Sequence, residues 1–166
     1  MLEFSAFTRV FDLLKPLETL EKPDLFCKKR DGVWSKYSSS ESLDVIQNVA
    51  LGLLDLGIKP GDKIAIISGN RPAWNFVDFA TQIIGGVTVP FYPTITVEDY
   101  EFIFENAEVK FVFVEGEDLY FKAKEASKKN KGVKEIFTFD PVEDAKSWSI
   151  VKKKGEGKDA AVLHKL

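Results

Sequence analysis

The sequence predicts an α/β fold: a mostly parallel sheet of βαβ units with helices on both faces, preceded by a β-hairpin. Three observations predict it. Short β-rich runs recur at Lys63–Ile67, Val87–Phe91, Lys110–Val114 and Glu135–Phe139, with centres about 24 residues apart. That interval has room for one helix and two short loops. The runs are continuously apolar rather than alternating, as in strands covered on both faces. Asp31-Gly32 lies between two further strand-like runs, Leu25–Lys29 and Val33–Tyr37. Asp-Gly in that setting is a strong hairpin signal.

Each helix has its own start and stop. Phe4, Phe7, Phe11 and Leu14 recur at helical spacing until Pro16 and define an amphipathic segment over 1–22. Ser38 and Glu41 have capping-box spacing, followed by an apolar stripe of Leu43, Ile46, Ala50, Leu53 and Leu54. Gly57 stops that helix and Pro60 prevents its resumption. Pro72 opens the next, a residue pre-set for a first helical turn. Trp74, Val77, Ala80 and Ile84, with Phe76, Phe79 and Ile83 beside them, make it apolar around most of its circumference, which predicts deep burial. Thr96 caps a third helix, with Glu98 and Asp99 where the dipole favours them. Its inward face is Val97, Tyr100, Ile103, Phe104 and Ala107. A fourth covers about 117–129, with Leu119, Tyr120, Ala123 and Ala126 facing in. The α/β unit is thus expected over 23–140, and 141–166 as a weakly ordered tail. In that tail Lys152–Lys154 and Gly155-Glu156-Gly157-Lys158 read as solvated and mobile, and Trp148 and Ile150 as a small packing patch.

Composition excludes several classes. The 166 residues are 45% hydrophobic and 30% charged, ordinary globular usage. The net charge of −3 lacks the basic surplus of a nucleic-acid binder. It is unevenly spread: about −6 over 1–109 and +3 over 110–166. Cys27 is the one cysteine and His164 the one histidine, so neither an internal disulfide nor a zinc site can form within the chain. No apolar run approaches a membrane span, and the N-terminus lacks the pattern of a signal peptide. A cytoplasmic protein is expected.

Among local motifs, Ser68-Gly69-Asn70-Arg71-Pro72 follows a strand and opens a helix, at the sheet edge where open parallel sheets bind ligands. Backbone amides there, with Arg71, suit a phosphate or carboxylate; alternatively Gly69 supplies a turn and Arg71 satisfies local groups. Gly85-Gly86 comes after a helix and before a strand, the reverse of a dinucleotide fingerprint, and serves helix termination and close helix–strand approach. No Walker-type loop occurs. Lysines cluster at 128, 129, 131 and 134 and at 152–154; they read as an anion-binding surface or, with acidic residues interspersed, as a solvated face. Phe111, Phe113, Phe137 and Phe139 alternate on strands, as core residues do. Fourteen phenylalanines is a large load, and any that stay exposed would allow self-association through an apolar surface.

Several of these stretches together resemble a known family. Gly57-Ile58-Lys59-Pro60-Gly61-Asp62-Lys63-Ile64-Ala65-Ile66-Ile67-Ser68, then Asn70-Arg71-Pro72-Ala73-Trp74, is similar to the N-terminal region of AMP-forming acyl-CoA synthetases, in the adenylate-forming superfamily. The resemblance continues through Ile84–Thr94, Tyr100, Ile103 and Lys110–Val114, and Trp34–Tyr37 with Ser42-Leu43 looks like the family's first core motif. The Asn-Arg-Pro-x-Trp and Val-Pro-x-Tyr-Pro-Thr forms lean toward long-chain fatty acid ligases. Coverage runs from about residue 20 to about 140.

The resemblance implies a parent that activates a fatty acid with ATP and Mg²⁺ to an acyl-adenylate, then passes the acyl group to coenzyme A. It also implies that this chain lacks the working parts. The phosphate loop similar to Tyr-Thr-Ser-Gly-Thr-Thr-Gly is absent, and so are the family's later nucleotide-binding and C-terminal motifs. No catalytic or metal-binding residue carries over, no cofactor is assigned to this chain, and Arg71 is the one candidate binding residue. The expected partner is the remainder of the ligase chain, and the fragment alone is expected to be inactive. The alternatives are a stand-alone binding or assembly domain, half of a split synthetase, or a flavodoxin-like nucleotide binder.

Overall fold

In the computed structural model, which describes residues 8–165, β1 (Phe26–Arg30) and β2 (Val33–Tyr37) form an antiparallel hairpin. Its Asp31 and Gly32 both take positive φ, 50° and 82°, the conformation a two-residue hairpin turn requires. Five strands then form one parallel sheet: β3 (Lys63–Ile67), β4 (Val87–Phe91), β5 (Val109–Val114), β6 (Glu135–Thr138) and β7 (Lys146–Ser147). Their spatial order is β4-β3-β5-β6-β7. The helices are α1 (Ser39–Asp55), α2 (Pro72–Ile83), α3 (Val97–Asn106), α4 (Glu117–Ser127) and α5 (Ser149–Gly155). The α/β class, the parallel sheet and the hairpin therefore stand as expected.

The expected caps form. Ser38 Oγ accepts from Glu41 N at 3.2 Å while Glu41 Oε2 accepts from Ser38 N at 2.8 Å. Thr96 and Asp99 repeat the arrangement at 3.1 and 2.9 Å. No residue of α2 is exposed, in keeping with its apolar circumference. After it, Gly85 takes φ +72°, and a Cβ on Gly86 would come within 2.9 Å of Thr81 Cγ2, so both glycines serve the helix end and the close approach to β4.

Strand alternation divides the core into two. Ile64, Ile66, Phe111, Phe113, Phe137 and Phe139 point to one face and pack with α1 and α2. Phe113 and Phe137 stack at 5.1 Å, Phe113 and Phe139 at 6.0 Å, and Trp148 extends the row edge-on to Phe139. Ala65, Ile67, Val112, Val114 and Ile136 point the other way and pack with α3 and α4. The hairpin docks by placing Phe26 and Tyr37 edge-on to Phe76 of α2, each at 5.2 Å.

Two expectations need correction. Residues 141–166 are not a weakly ordered tail throughout. β7 pairs with β6, and α5 crosses α1 with Val151 fully buried and Gly155 buried. The crossing is tight because each helix meets the other at a glycine. A Cβ on Gly52 would overlap the carbonyl of Val151, and one on Gly155 would overlap the carbonyl of Asn48. Gly155 is thus a packing residue rather than part of a solvated run. Near the N-terminus, Phe4 and Phe7 lie outside the described residues, while Phe11 and Leu14 sit on a 3-10 helix, Val10–Glu18, that runs past Pro16. Pro16 extends it with its own carbonyl, which accepts from the amides of Thr19 and Leu20 at 3.3 and 2.9 Å.

Candidate functional site

The C-terminal edge of the sheet is where sequence placed the candidate. After β3 comes the Ser68–Arg71 turn, after β5 comes Glu115, and after β6 come Phe139 and Asp140. Backbone bonds hold these strand ends together: Glu115 N donates to Ile67 O at 3.1 Å, Phe139 N to Val114 O and Asp140 N to Glu115 O, both at 2.8 Å.

Arg71 sits at the N-cap of α2 with its side chain only 7% exposed. Its guanidinium forms a two-pronged ion pair with Asp140: Nη1 donates to Oδ2 at 3.1 Å and Nη2 to Oδ1 at 2.6 Å. Nη1 lies 3.6 Å from Glu115 Oε1, and the guanidinium carbon 5.3 Å from the Phe139 ring centre. Such paired geometry is the strong form of this interaction. It lowers the pKa of Asp140 below the ordinary value, with Arg71 as the largest cause. Arg30 at the hairpin end approaches the same carboxylate at 3.9 Å.

Glu115 closes the other half. Its Oε2 accepts the Gly69 N–H at 2.8 Å and the Ser68 hydroxyl at 3.5 Å. In a ligand-binding βα turn that amide would face a phosphate. Here it faces a carboxylate of this chain. With the guanidinium held by Asp140 as well, the donor set does not fit the phosphates of a nucleotide. A shallow depression of about 280 Å³ beside it is lined by Asn70, Arg71, Trp74 and Asn75. Among the described residues no group of three or more His, Cys, Asp or Glu side chains comes together as a metal-ligand set.

Sequence reasoning named Arg71 and missed its partners. Asp140 is 69 residues away and Glu115 is 46 residues from Gly69, so no local pattern links them. The available signal was positional: each is the first acidic residue after a parallel strand, which puts its side chain at the edge where Arg71 lies.

Several lysines in and beside the two clusters pair with acidic side chains of this chain. Lys154 and Lys158 reach Asp55 at 3.0 and 2.7 Å, tying α5 and the residues after it to the end of α1, and the two lysines hold the Asp55 pKa below its ordinary value. Lys129 meets Glu101 at 2.9 Å, and Lys128 meets Glu125. No helix among the described residues is long and apolar enough to cross a membrane.

A family model described as AMP-binding enzyme matches residues 19–164. Long-chain-fatty-acid–CoA ligase FadD15 of Mycobacterium bovis is 36% identical over 97 residues, covering 57% of this chain and 16% of the relative. Fatty acyl-CoA synthetase B of Dictyostelium discoideum is 32% identical over 143 residues, covering 80% of this chain and 21% of the relative. Among solved structures, the A-PCP didomain of carboxylic acid reductase from Segniliparus rugosus, in complex with AMP, superposes with a TM-score of 0.79 at 14% identity. That match covers 94% of this chain and 28% of the other, and speaks for the fold alone. The chain thus spans about a sixth to a fifth of the length of these curated relatives. The matched stretch takes in the β3 to β6 units and the Arg71 edge, and on that ground the chain belongs to the AMP-binding enzyme family.

Proposed function

We propose that this chain supplies the N-terminal scaffold of a long-chain fatty acid–CoA ligase and has no catalysis of its own. The observation that carries the reading is the family match over residues 19–164 together with fatty acyl-CoA ligase relatives of which the match covers only 16 to 21%. The parent uses ATP and Mg²⁺ to form an acyl-adenylate and coenzyme A to accept the acyl group. The geometry of the Arg71 edge supports a scaffold role. Its guanidinium and the Gly69 amide are already bonded to Asp140 and Glu115, so no nucleotide step is routed through them. The partner is the rest of a ligase polypeptide, and the setting is the cytoplasm.

The test is direct. The purified 166-residue chain, given ATP, Mg²⁺, coenzyme A and palmitate, is expected to release no AMP and form no acyl-CoA. Turnover under those conditions would overturn the reading. A second reading, a stand-alone binding or assembly domain or half of a split synthetase, draws on the two closed cores on either side of the sheet. It requires a cooperative melt of the isolated chain, and tight binding of ATP, AMP or flavin nucleotide by it would favour a nucleotide binder over the scaffold.

A further inference from the structure

The β1–β2 hairpin is a sheet of its own and carries its own charge. Four of the 23 basic residues and one of the 26 acidic ones lie in 26–37, so this stretch is +3 and the rest of the chain −6. Strand pairing sorts its side chains onto two faces, because cross-strand partners share a face and neighbours along a strand alternate. Phe26 and Tyr37 are partners, and both rings meet Phe76 of α2, so theirs is the docked face. The opposite face takes the alternate pairs, Cys27 with Lys36 and Lys29 with Trp34. All four of these residues are exposed, Trp34 by 58%. Lys29 Nζ lies 5.8 Å from the centre of the Trp34 ring.

This outward face has one consistent chemistry: two ammonium groups beside an indole, with no carboxylate on its own strands. Lys36 approaches Asp24, just before the hairpin, at 3.7 Å, while Lys29 has no ion pair among the described residues. At the turn, Val33 is 69% exposed. Lysines on both five-residue strands blunt the outer edges against pairing with a further strand. An indole with a polar edge sits well at the boundary between headgroups and acyl chains, and ammonium groups there meet lipid phosphates. The opposite sign of the remaining chain makes the hairpin the part that can face an anionic surface. Fields fade over about 10 Å at 0.1 M salt, so the acidic remainder does not cancel the attraction at the hairpin.

We infer that the outward face of the hairpin, with Lys29, Trp34 and Lys36, docks this chain on an anionic lipid surface. The docking is peripheral and needs no membrane-spanning helix. It goes beyond the scaffold reading and does not depend on it.

The test is sedimentation of the purified chain with vesicles at about 0.1 M salt. Binding is expected to vesicles of phosphatidylglycerol and phosphatidylcholine and not to phosphatidylcholine alone. Lys29→Gln with Lys36→Gln is expected to weaken it about 25-fold, about fivefold for each cation. The same charge change made elsewhere, Lys131→Gln with Lys153→Gln, is expected to leave it unchanged. Brominated acyl chains in the vesicles are expected to quench indole emission in the unsubstituted chain. That quenching is expected to be lost in Trp34→Ser, since Trp74 and Trp148 are half-buried against the core. Thermal melts of all these variants without lipid are expected to stay within about 2 °C, as for surface substitutions generally. Failure to bind the anionic vesicles, or equal binding to the neutral ones, would overturn the inference. So would equal weakening by the two double substitutions, or quenching that persists in Trp34→Ser. A concentration-dependent dimer lost in Trp34→Ser would give the face to a second copy and overturn it as well.

Discussion

The two faces of the sheet are finished differently. On the α1–α2 face, a row of four phenylalanines and Trp148 fills the space, and the chain adds a further cover when α5 crosses α1 at Gly52 and Gly155. On the α3–α4 face, small residues such as Ala65 and Val112 let the helices sit close, and the outer surface keeps Phe102 and Phe121 exposed. This second face also contains Tyr100, whose buried hydroxyl has no hydrogen-bond partner among the described residues and whose pKa is pushed up to about 12 by burial. The first face carries a further layer of cover, α5 and the Val10–Glu18 helix, packed against α1. The second is closed only where it meets the sheet.

Substitutions on the two sides can break this contrast. The largest expected effect is Phe113→Ala, which empties the aromatic row and should cost about 3–5 kcal/mol by urea unfolding. Val112→Ala, one residue away on the opposite face, removes two methyl groups and should cost about 2 kcal/mol. Equal losses would mean that the aromatic row gives its face no special weight. Next is Gly52→Ala. The added methyl forces α1 and α5 apart, at about 1–3 kcal/mol. An unchanged urea midpoint would show that α5 does not hold the α1–α2 side together.

The Arg71–Asp140 pair gives a smaller, pH-dependent effect. The Asp140 pKa is depressed below its ordinary 3.8, so its contribution is complete at neutral pH. It is lost as pH falls through that lower folded value. Asp140→Asn should therefore lower the neutral-pH melting temperature and flatten its acid dependence. An acid limb as steep as that of the unsubstituted chain would contradict the pairing. The smallest change is expected from Phe102→Lys in the isolated chain, within about 0.5 kcal/mol.

Much of the fold was legible in local sequence because its signals are local. β3 and β4 fall at the expected bounds, since both are short β-rich runs bracketed by turn residues. The capping boxes at Ser38 and Thr96 each lie within four residues. What was missed depends on distant partners. Lys152–Lys154 and Gly155, in the second half of the Ser149–Gly155 helix, read as solvated until α1 is beside them. Only Val151 and Gly155 do the packing, and their partners lie about a hundred residues upstream. The candidate site behaved likewise. Arg71 was visible from its place after β3, but Asp140 and Glu115, which occupy its guanidinium and the turn amide, reach it only through the sheet order.

The helix crossing at Gly52 has a consequence for biosynthesis. Lys154 and Asp55, which meet across it, are 99 residues apart in the chain. While the ribosome is still making the sheet, α1 has no partner for its glycine surface. That surface is sealed only when the stretch around Gly155 emerges. A chain halted before then would carry an unfinished flank, and α5 acts as the closing step for a helix made about a hundred residues earlier.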